Sequence, residues 1–255
     1  SIKLGAQSMT SVSAEGQVIP FGVTEGGLEW LYPVGNRNII VSAPEKRISL
    51  TSDRIQRDEG AVIDLSGGGD LLAYEFIPGI GGSIDVLSTG ESFAVIPGFN
   101  GYAPHDPFIS TQANIDLGAT VYLEGSSALP AGNYTVLPAR YALLPGAYLI
   151  TPQAGTRDMM PGTRTVNLDG APVVSGFLSI AGTNAQSQRR VGFAVEPGSI
   201  ALTRSQLSLT SANEFFAQQA IANETAMPRL PKDAGYVLFD AKNRLDLPTV
   251  RAEAS

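Results

Sequence analysis

The only histidine of the chain, His105, is the first residue to test for chemistry, because nucleophile–base triads usually depend on this side chain. It lies in the run APHDP at 103–107, between two prolines and next to Asp106. Adjacent side chains usually point in different directions, so we favour a structural or surface role over a catalytic His–Asp pair. Zinc would need several Cys or His ligands, and the chain has no cysteine.

A calcium site is the second chemistry that the sequence allows. Asp64 and Asp70 flank the glycine run at 67–69, and Asp85 and Asp106 lie near other glycine-rich turns. Such a run resembles one unit of the glycine–aspartate repeats that bind calcium between β-helix turns. That motif works by repetition and occurs once here. A turn with positive φ at glycine and an Asx-type bond from Asp70 is simpler, so we predict no essential metal or cofactor.

Enzymatic cleavage of a polysaccharide is the third chemistry to consider. Such enzymes commonly cluster basic and acidic residues in a groove, whereas Arg157, Arg164, Arg189 and Arg190 are scattered, with no dense acidic partner run. A fold alone licenses no activity. We therefore predict that the protein is not an enzyme.

Aromatic side chains are concentrated between residues 74 and 148. The first interpretation is that they form the core of this region. The second is a face that binds a sugar or a protein, because tyrosine combines flat apolar area with a polar tip. The candidates for this second role are Tyr102, Tyr122, Tyr134 and Tyr141.

Residues 1–65 contain short apolar runs whose spacing indicates a repeated architecture. Ile39, Ile48, Ile55 and Val62 begin or anchor four of them, at spacings typical of three short strands per turn of a parallel β-helix. Antiparallel strands of a sandwich have a similar spacing. Periodicity alone leaves both architectures open.

The sequence pattern changes after Asp70, where predicted strands rich in aromatic residues alternate with Pro-Gly turns. Residues 153–163 are polar and are predicted to form an exposed loop. From Arg164 onward short strands return, and Ser211 with Glu214 forms a capping box that predicts a docked helix over 211–223. The predicted strands are 71–77, 83–87, 92–96, 120–124, 134–137, 147–151, 165–168, 173–180, 191–195, 199–202 and 206–210.

Composition narrows the class of protein. The 28 glycines and 17 prolines among 255 residues favour an all-β chain with many turns. The net charge of −7 and the lack of a basic cluster argue against nucleic acid as a partner. We interpret the chain as a piece of a longer protein.

Several long strings resemble filamentous-haemagglutinin-like exoproteins, which are the passengers of two-partner secretion in Gram-negative bacteria. They include AVIDLSGGGDLLAYEF, PGFNGYAPHDP, LPAGNYTVLPARYALLPGAYLITP, GAPVVSGFLSIAG and SANEFFAQQA, and they span roughly residues 60–245. The resemblance implies a right-handed parallel β-helix stem over 1–70 and 164–255, with an inserted β-subdomain at 71–163.

The same resemblance implies a secreted protein at the cell surface. Its expected role is non-enzymatic, in adhesion, biofilm formation or cell contact. The expected partners are a protein or glycan on a host or neighbouring cell, an outer-membrane two-partner transporter, and other copies along a fibre. Two alternatives stay open: a self-assembling extracellular filament subunit, and a polysaccharide-binding or polysaccharide-cleaving β-helix protein.

Overall fold

The computed structural model describes residues 1–32, 38–79, 82–101, 103–104, 115–156, 158–179, 183, 185–187, 189–204 and 206–253. Most of their regular structure is strand, which confirms the all-β class. The first strands are β1 Ile2–Leu4, β2 Met9–Ser11, β3 Val18–Glu25, β4 Glu29–Leu31, β5 Arg47–Arg57, β6 Val62–Asp64 and β7 Asp70–Ile77. They are followed by β8 Phe93–Val95, β9 Thr120–Leu123, β10 Gly132–Thr135, β11 Leu137–Pro138, a 3₁₀ helix Ala139–Leu143, β12 Tyr148–Pro152, β13 Arg164–Val166, β14 Pro172–Ser179, β15 Val191–Pro197 and α1 Gly198–Arg204. The last elements are β16 Gln206–Ser211, α2 Ala212–Ala222, β17 Tyr236–Leu245 and β18 Thr249–Arg251.

The chain divides into two compact units. Unit 1 comprises the described residues of 1–33, 37–74 and 209–255, and unit 2 those of 75–208. Strand β7 carries the chain out of unit 1, and β16 carries it back. The predicted return at Arg164 is wrong, because β13, β14 and β15 all pair within the sheet of unit 2.

Parallel strands in three layers build unit 1. Layer 1 contributes β1, β2 and β3, layer 2 contributes β5, β6 and β7, and layer 3 contributes β17 and β18. The sheets are β1-β5-β17, β2-β6-β18 and β16-β7-β3-β4, and every pairing between layers is parallel. Ile48, Ile63 and Leu65 lie in a small core that the layers share.

The predicted strand period fails in its details. Ile48 and Ile55 lie on one strand, β5, and Ile39 forms an antiparallel bridge with Leu31 instead of starting a layer. Ile48 and Ile55 do not begin separate strands, because they belong to the single eleven-residue strand β5, whose pairing with β17 shifts register between Ala241 and Arg244.

Glycines at 68 and 69 allow the layers to approach each other closely. A Cβ on Gly69 would lie 2.4 Å from the carbonyl oxygen of Ala14, and one on Gly68 would lie 2.9 Å from Cα of Glu15. Both glycines have positive φ, of 95° and 89° respectively, which side chains disfavour. This turn is therefore glycine-rich because layer 1 packs against it.

Helix α2 docks in unit 1 by its aromatic residues. Ser211 is its N-cap and accepts a hydrogen bond from the backbone N–H of Glu214 at 3.4 Å. Phe215 and Phe216 are buried, with ring centroids 5.5 and 5.4 Å from that of Trp30. The predicted docked helix is confirmed, and the tryptophan is a packing residue.

Unit 2 is an eight-stranded antiparallel sheet. Its strand order is β10-β9-β14-β15-β12-β8-β11, and β13 pairs with β14. One face covers a core that includes Phe93, Val121, Leu123, Phe193 and Val195. The prediction of a strand over 199–202 is wrong, because α1 occupies this region. A run of three apolar residues after Ser199 is too short to distinguish strand from helix.

Candidate binding surface

A row of side chains crosses the sheet of unit 2 on the face opposite its core. Tyr122 of β9 pairs directly with Asn133 of β10 and with Phe177 of β14. Its chain neighbours Val121 and Leu123 are fully buried in the core, so the alternation along a strand turns Tyr122 to the other face. Arg190 immediately precedes β15 and joins this row. We call Asn133, Tyr122, Phe177 and Arg190 the outer row.

Two aromatic rings form the centre of the outer row. The centroids of Tyr122 and Phe177 are 5.2 Å apart, and their planes differ by 22°. Cross-strand aromatic pairs of this kind stabilise a sheet and fix ring orientation. Both residues are half-buried, so part of their apolar surface faces solvent.

A guanidinium group borders the two rings. The Arg190 Cζ lies 5.6 Å from the Tyr122 centroid and 5.3 Å from the Phe177 centroid, within the range of cation–π attraction. Its Nη1 donates to Oε1 of Glu124 at 2.7 Å. The Arg190 and Glu124 side chains are 29% and 15% exposed, so the pair is partly shielded from water.

Glu124 is itself held by the loop that follows β12. Its Oε2 accepts a hydrogen bond from the backbone N–H of Gly162 at 2.6 Å. Thr156 accepts at 2.8 Å from the backbone N–H of Gly192, and Ser175, fully buried, donates to the carbonyl of Met159 at 3.4 Å. The loop over 153–163 is exposed at most of its described positions, as predicted. Through these hydrogen bonds the loop is held next to the outer row.

The four predicted binding-face tyrosines have different positions. Tyr122 lies in the outer row. Tyr134 was placed wrongly: it is 8% exposed and packs in the core of unit 2. Tyr141 is half-buried in the 3₁₀ helix and not on a strand of the row. Tyr102 lies outside the described residues.

Burial explains the chemistry of Tyr134. Its hydroxyl donates to the carbonyl of Pro130 at 2.6 Å. Desolvation raises the pKa of the Tyr134 hydroxyl above its ordinary value, and the charge of Tyr148 on ionisation raises it further. The side chain is thus a neutral hydrogen-bond donor inside the protein and presents no surface to a ligand.

The sequence did not single out Phe177, Arg190 and Glu124 as one site. Phe177 lies in an apolar run that is typical of a buried strand. Arg190 is one of several arginines scattered along the sequence. Glu124, its partner, is distant in sequence, and the pairings of β9 with β14 and of β14 with β15 bring it close. The alternation of Val121, Tyr122 and Leu123 was the one local signal for an outward aromatic residue.

The calcium candidates have structural roles in unit 1. Asp64 accepts hydrogen bonds from the backbone N–H of Ser66 at 3.1 Å and from the Ser11 hydroxyl at 3.0 Å. Hydrogen bonds to Ser66 are the main cause that lowers the pKa of the Asp64 carboxyl, and those of Ser11 and the charge of Arg251 add to it.

Asp70 caps helix α2. Its carboxylate accepts from the backbone N–H of Asn213 at 3.1 Å and from the Ser211 hydroxyl at 2.5 Å. A carboxylate at a helix N-terminus satisfies free backbone donors. The residues that the structure describes contain no group of three or more His, Cys, Asp or Glu placed to hold a metal ion. That no metal is essential stays a prediction, and His105 and Asp106 lie outside the described residues.

Comparisons with known proteins give no relative. No family model, no curated protein and no solved structure matches the chain. Within the described part of the chain, no helix has the length and apolar character needed to cross a membrane.

Proposed function

We propose that the chain is a non-enzymatic, adhesive segment of a large secreted surface protein of a Gram-negative bacterium. In this proposal unit 1 is a short stretch of right-handed parallel β-helix that serves as stem, and unit 2 carries the binding surface. The observation on which the proposal depends most is the order of parallel pairings in unit 1. The resemblance of the long sequence strings to filamentous-haemagglutinin-like exoproteins agrees with it.

The pairings of unit 1 follow the order expected for stacked turns. Ile2 and Leu245 both pair with Ile55, and Met9 and Thr249 both pair with Val62. Layer 2 therefore lies between layers 1 and 3 in both sheets. Successive layers that visit the same sheets in the same sequence are typical of a solenoid, and right-handed crossovers are the strong preference for parallel strands.

The outer row has the properties of a recognition surface. It combines half-exposed aromatic area with a fixed guanidinium and a carboxylate, and aromatic residues and arginine are enriched where proteins bind partners. Its residues stand on or next to paired strands, which position side chains more rigidly than loops do. We propose a protein or glycan of a host or neighbouring cell as its partner.

Binding to cells tests this proposal directly. The fluorescently labelled chain should bind saturably to a panel of host and bacterial cells in flow cytometry, and Tyr122→Ala should weaken this binding strongly. The matched control is Tyr236→Ala, which removes a tyrosine from the surface of β17, in unit 1. Absence of saturable binding to every cell type would contradict the proposal. So would turnover of a polysaccharide that is lost when a single carboxylate is mutated.

Self-assembly is a second candidate, favoured by the edge of layer 3. Strands β17 and β18 end their sheets among the described residues, and Leu238, Leu245 and Val250 are 51%, 42% and 44% exposed. Open strand edges can pair with another copy. Electron micrographs should then show fibres at high concentration, and Val250→Lys should abolish them. Fibres that persist in this variant would place the contact elsewhere.

A further inference from the structure

We infer that the outer row binds a neutral saccharide, with one pyranose ring against Tyr122 and Phe177 and its hydroxyls bonded to Arg190 and Glu124. This inference rests on the proposed adhesive function and names the ligand class of the same surface. Four properties of the site carry it: aromatic area, paired donors and acceptors, compensated charge and rigidity.

The aromatic pair matches the apolar side of a sugar. A pyranose ring carries a patch of C–H bonds on one face, and flat aromatic surface buries such a patch without leaving polar groups unpaired. Tyr122 and Phe177 stack on each other, with centroids 5.2 Å apart and an angle of 22° between their planes, and each ring keeps part of its surface exposed. Asn133, the cross-strand partner of Tyr122, adds an exposed amide at one end of the pair.

The ion pair supplies donors and acceptors side by side. Arg190 uses Nη1 for Glu124 and for the Ser175 hydroxyl, at 2.7 and 3.5 Å. Among the described residues no hydrogen bond engages its Nε or Nη2, which leaves N–H donors for a ligand. Each carboxylate oxygen of Glu124 accepts one hydrogen bond and has capacity for another. Neighbouring sugar hydroxyls need this combination of donor and acceptor.

The charge balance selects a neutral ligand over an acidic one. Glu124 compensates Arg190, and Asp158 lies 3.8 Å from the neighbouring Arg189. The chain as a whole carries a net charge of −7. A polyanionic saccharide would meet long-range repulsion, and the two arginines described at this site, Arg189 and Arg190, already have carboxylate partners. A neutral saccharide avoids both costs.

The site is also held in place before a ligand arrives. The backbone N–H of Gly162 fixes Glu124, which in turn fixes Arg190. Phe177 and Tyr122 are held by direct strand pairing. A preorganised site loses less conformational freedom on binding, and this improves affinity for a small ligand.

Calorimetry with defined oligosaccharides tests the inference. The probes are cellohexaose, β-1,4-mannohexaose and maltohexaose as neutral ligands, and hexagalacturonate as the acidic one. At least one neutral probe should bind, and its affinity should be the same at about 50 and about 300 mM salt, because no net charge is neutralised. Hexagalacturonate should bind at least about tenfold more weakly than that probe.

Four variants locate the binding. Tyr122→Leu and Arg190→Ala should each weaken binding by about tenfold. Tyr122→Phe keeps the ring and should bind like the parent, and Arg189→Ala removes the neighbouring exposed arginine as a matched control. If Tyr122→Leu fails to fold, by circular dichroism, Arg190→Ala against Arg189→Ala still decides the matter.

Several outcomes would overturn the inference. They are no binding of any neutral probe at millimolar concentration, a salt-sensitive preference for hexagalacturonate, or equal losses in Arg190→Ala and Arg189→Ala. If the labelled chain still binds cells while the saccharides do not bind, only the ligand class fails. If it binds no cells either, the proposed adhesive function fails as well.

Discussion

Unit 1 and unit 2 are both built mainly from strands, yet the strands pair in opposite ways. In unit 1 they pair in parallel between layers, and in unit 2 every pairing of the eight-stranded sheet is antiparallel. Parallel neighbours need a long connection, while antiparallel ones need only a tight turn. The difference teaches that the connections decide the sheet type here, more than the strands themselves.

The turns make this contrast concrete. In unit 2, Gly98 and Gly146 follow prolines and have φ of 79° and 76°, as Pro-Gly reversals require. In unit 1, the turn at Gly68 and Gly69 lies against Ala14 of the layer below. The glycines of unit 2 allow the chain to reverse, whereas those of unit 1 allow two layers to pack closely.

The largest expected effect is a loss of stability in the core of unit 2 that leaves the core of unit 1 unchanged. Phe193→Ala empties a fully buried position in unit 2 and should cost about 3–5 kcal/mol there. Amide exchange in β14 and β15 should accelerate strongly. Trp30, the only tryptophan, reports on unit 1, so its fluorescence transition in denaturant should stay where it is. A joint shift of both signals would contradict independent cores.

The next prediction concerns the contribution of helix α2 to the stability of unit 1. Phe216→Ala should cost about 3–5 kcal/mol, because Phe216 is 2% exposed and packs against Trp30. Ser211→Ala removes the N-cap and the hydroxyl that donates to Asp70, and it should cost about 1 kcal/mol. Denaturant melts followed by Trp30 fluorescence compare the two variants. Melts that match the parent in both variants would show that the helix contributes nothing to unit 1.

Glycine substitutions test the close approaches in each unit. A Cβ on Gly176 would lie 2.3 Å from the Tyr122 carbonyl in unit 2, and one on Gly69 would lie 2.4 Å from the Ala14 carbonyl in unit 1. Gly176→Ala and Gly69→Ala should each destabilise their own unit by about 1–3 kcal/mol. Gly5→Ala is the control, because nothing lies within 4 Å of its Cβ position. Equal melting midpoints for all three variants would remove the steric argument.

The smallest effect concerns pH and unit 1. The folded-state pKa of Asp64 is lowered, chiefly by hydrogen bonds to Ser66, so its contribution to stability is present above the unfolded pKa of about 3.9. It is lost as the pH falls through the lower folded value. Asp64→Asn should make the stability of unit 1 less dependent on pH below about pH 4, measured by urea melts with Trp30 fluorescence. An unchanged pH profile would assign no stabilising role to this carboxylate.

Local chemistry in the sequence was enough for the strand-rich class, for most strands and for helix α2. The capping box at Ser211 and Glu214 marked the helix start, because capping depends on residues only three positions apart. Strands such as β7, β9 and β14 were close to their predicted bounds, because alternation and flanking turns are also local signals.

Only the tertiary structure decided which strands pair, where the chain re-enters unit 1 and which aromatic residues face outward. Tyr122 and Tyr134 both stand on alternating strands, but alternation defines two faces without saying which one meets the core. The pairing of β9 with β14 placed Tyr122 beside Phe177, and the further pairing of β14 with β15 placed Glu124 near Arg190. Contacts between residues so distant in sequence depend on the whole sheet, and no local pattern encodes them.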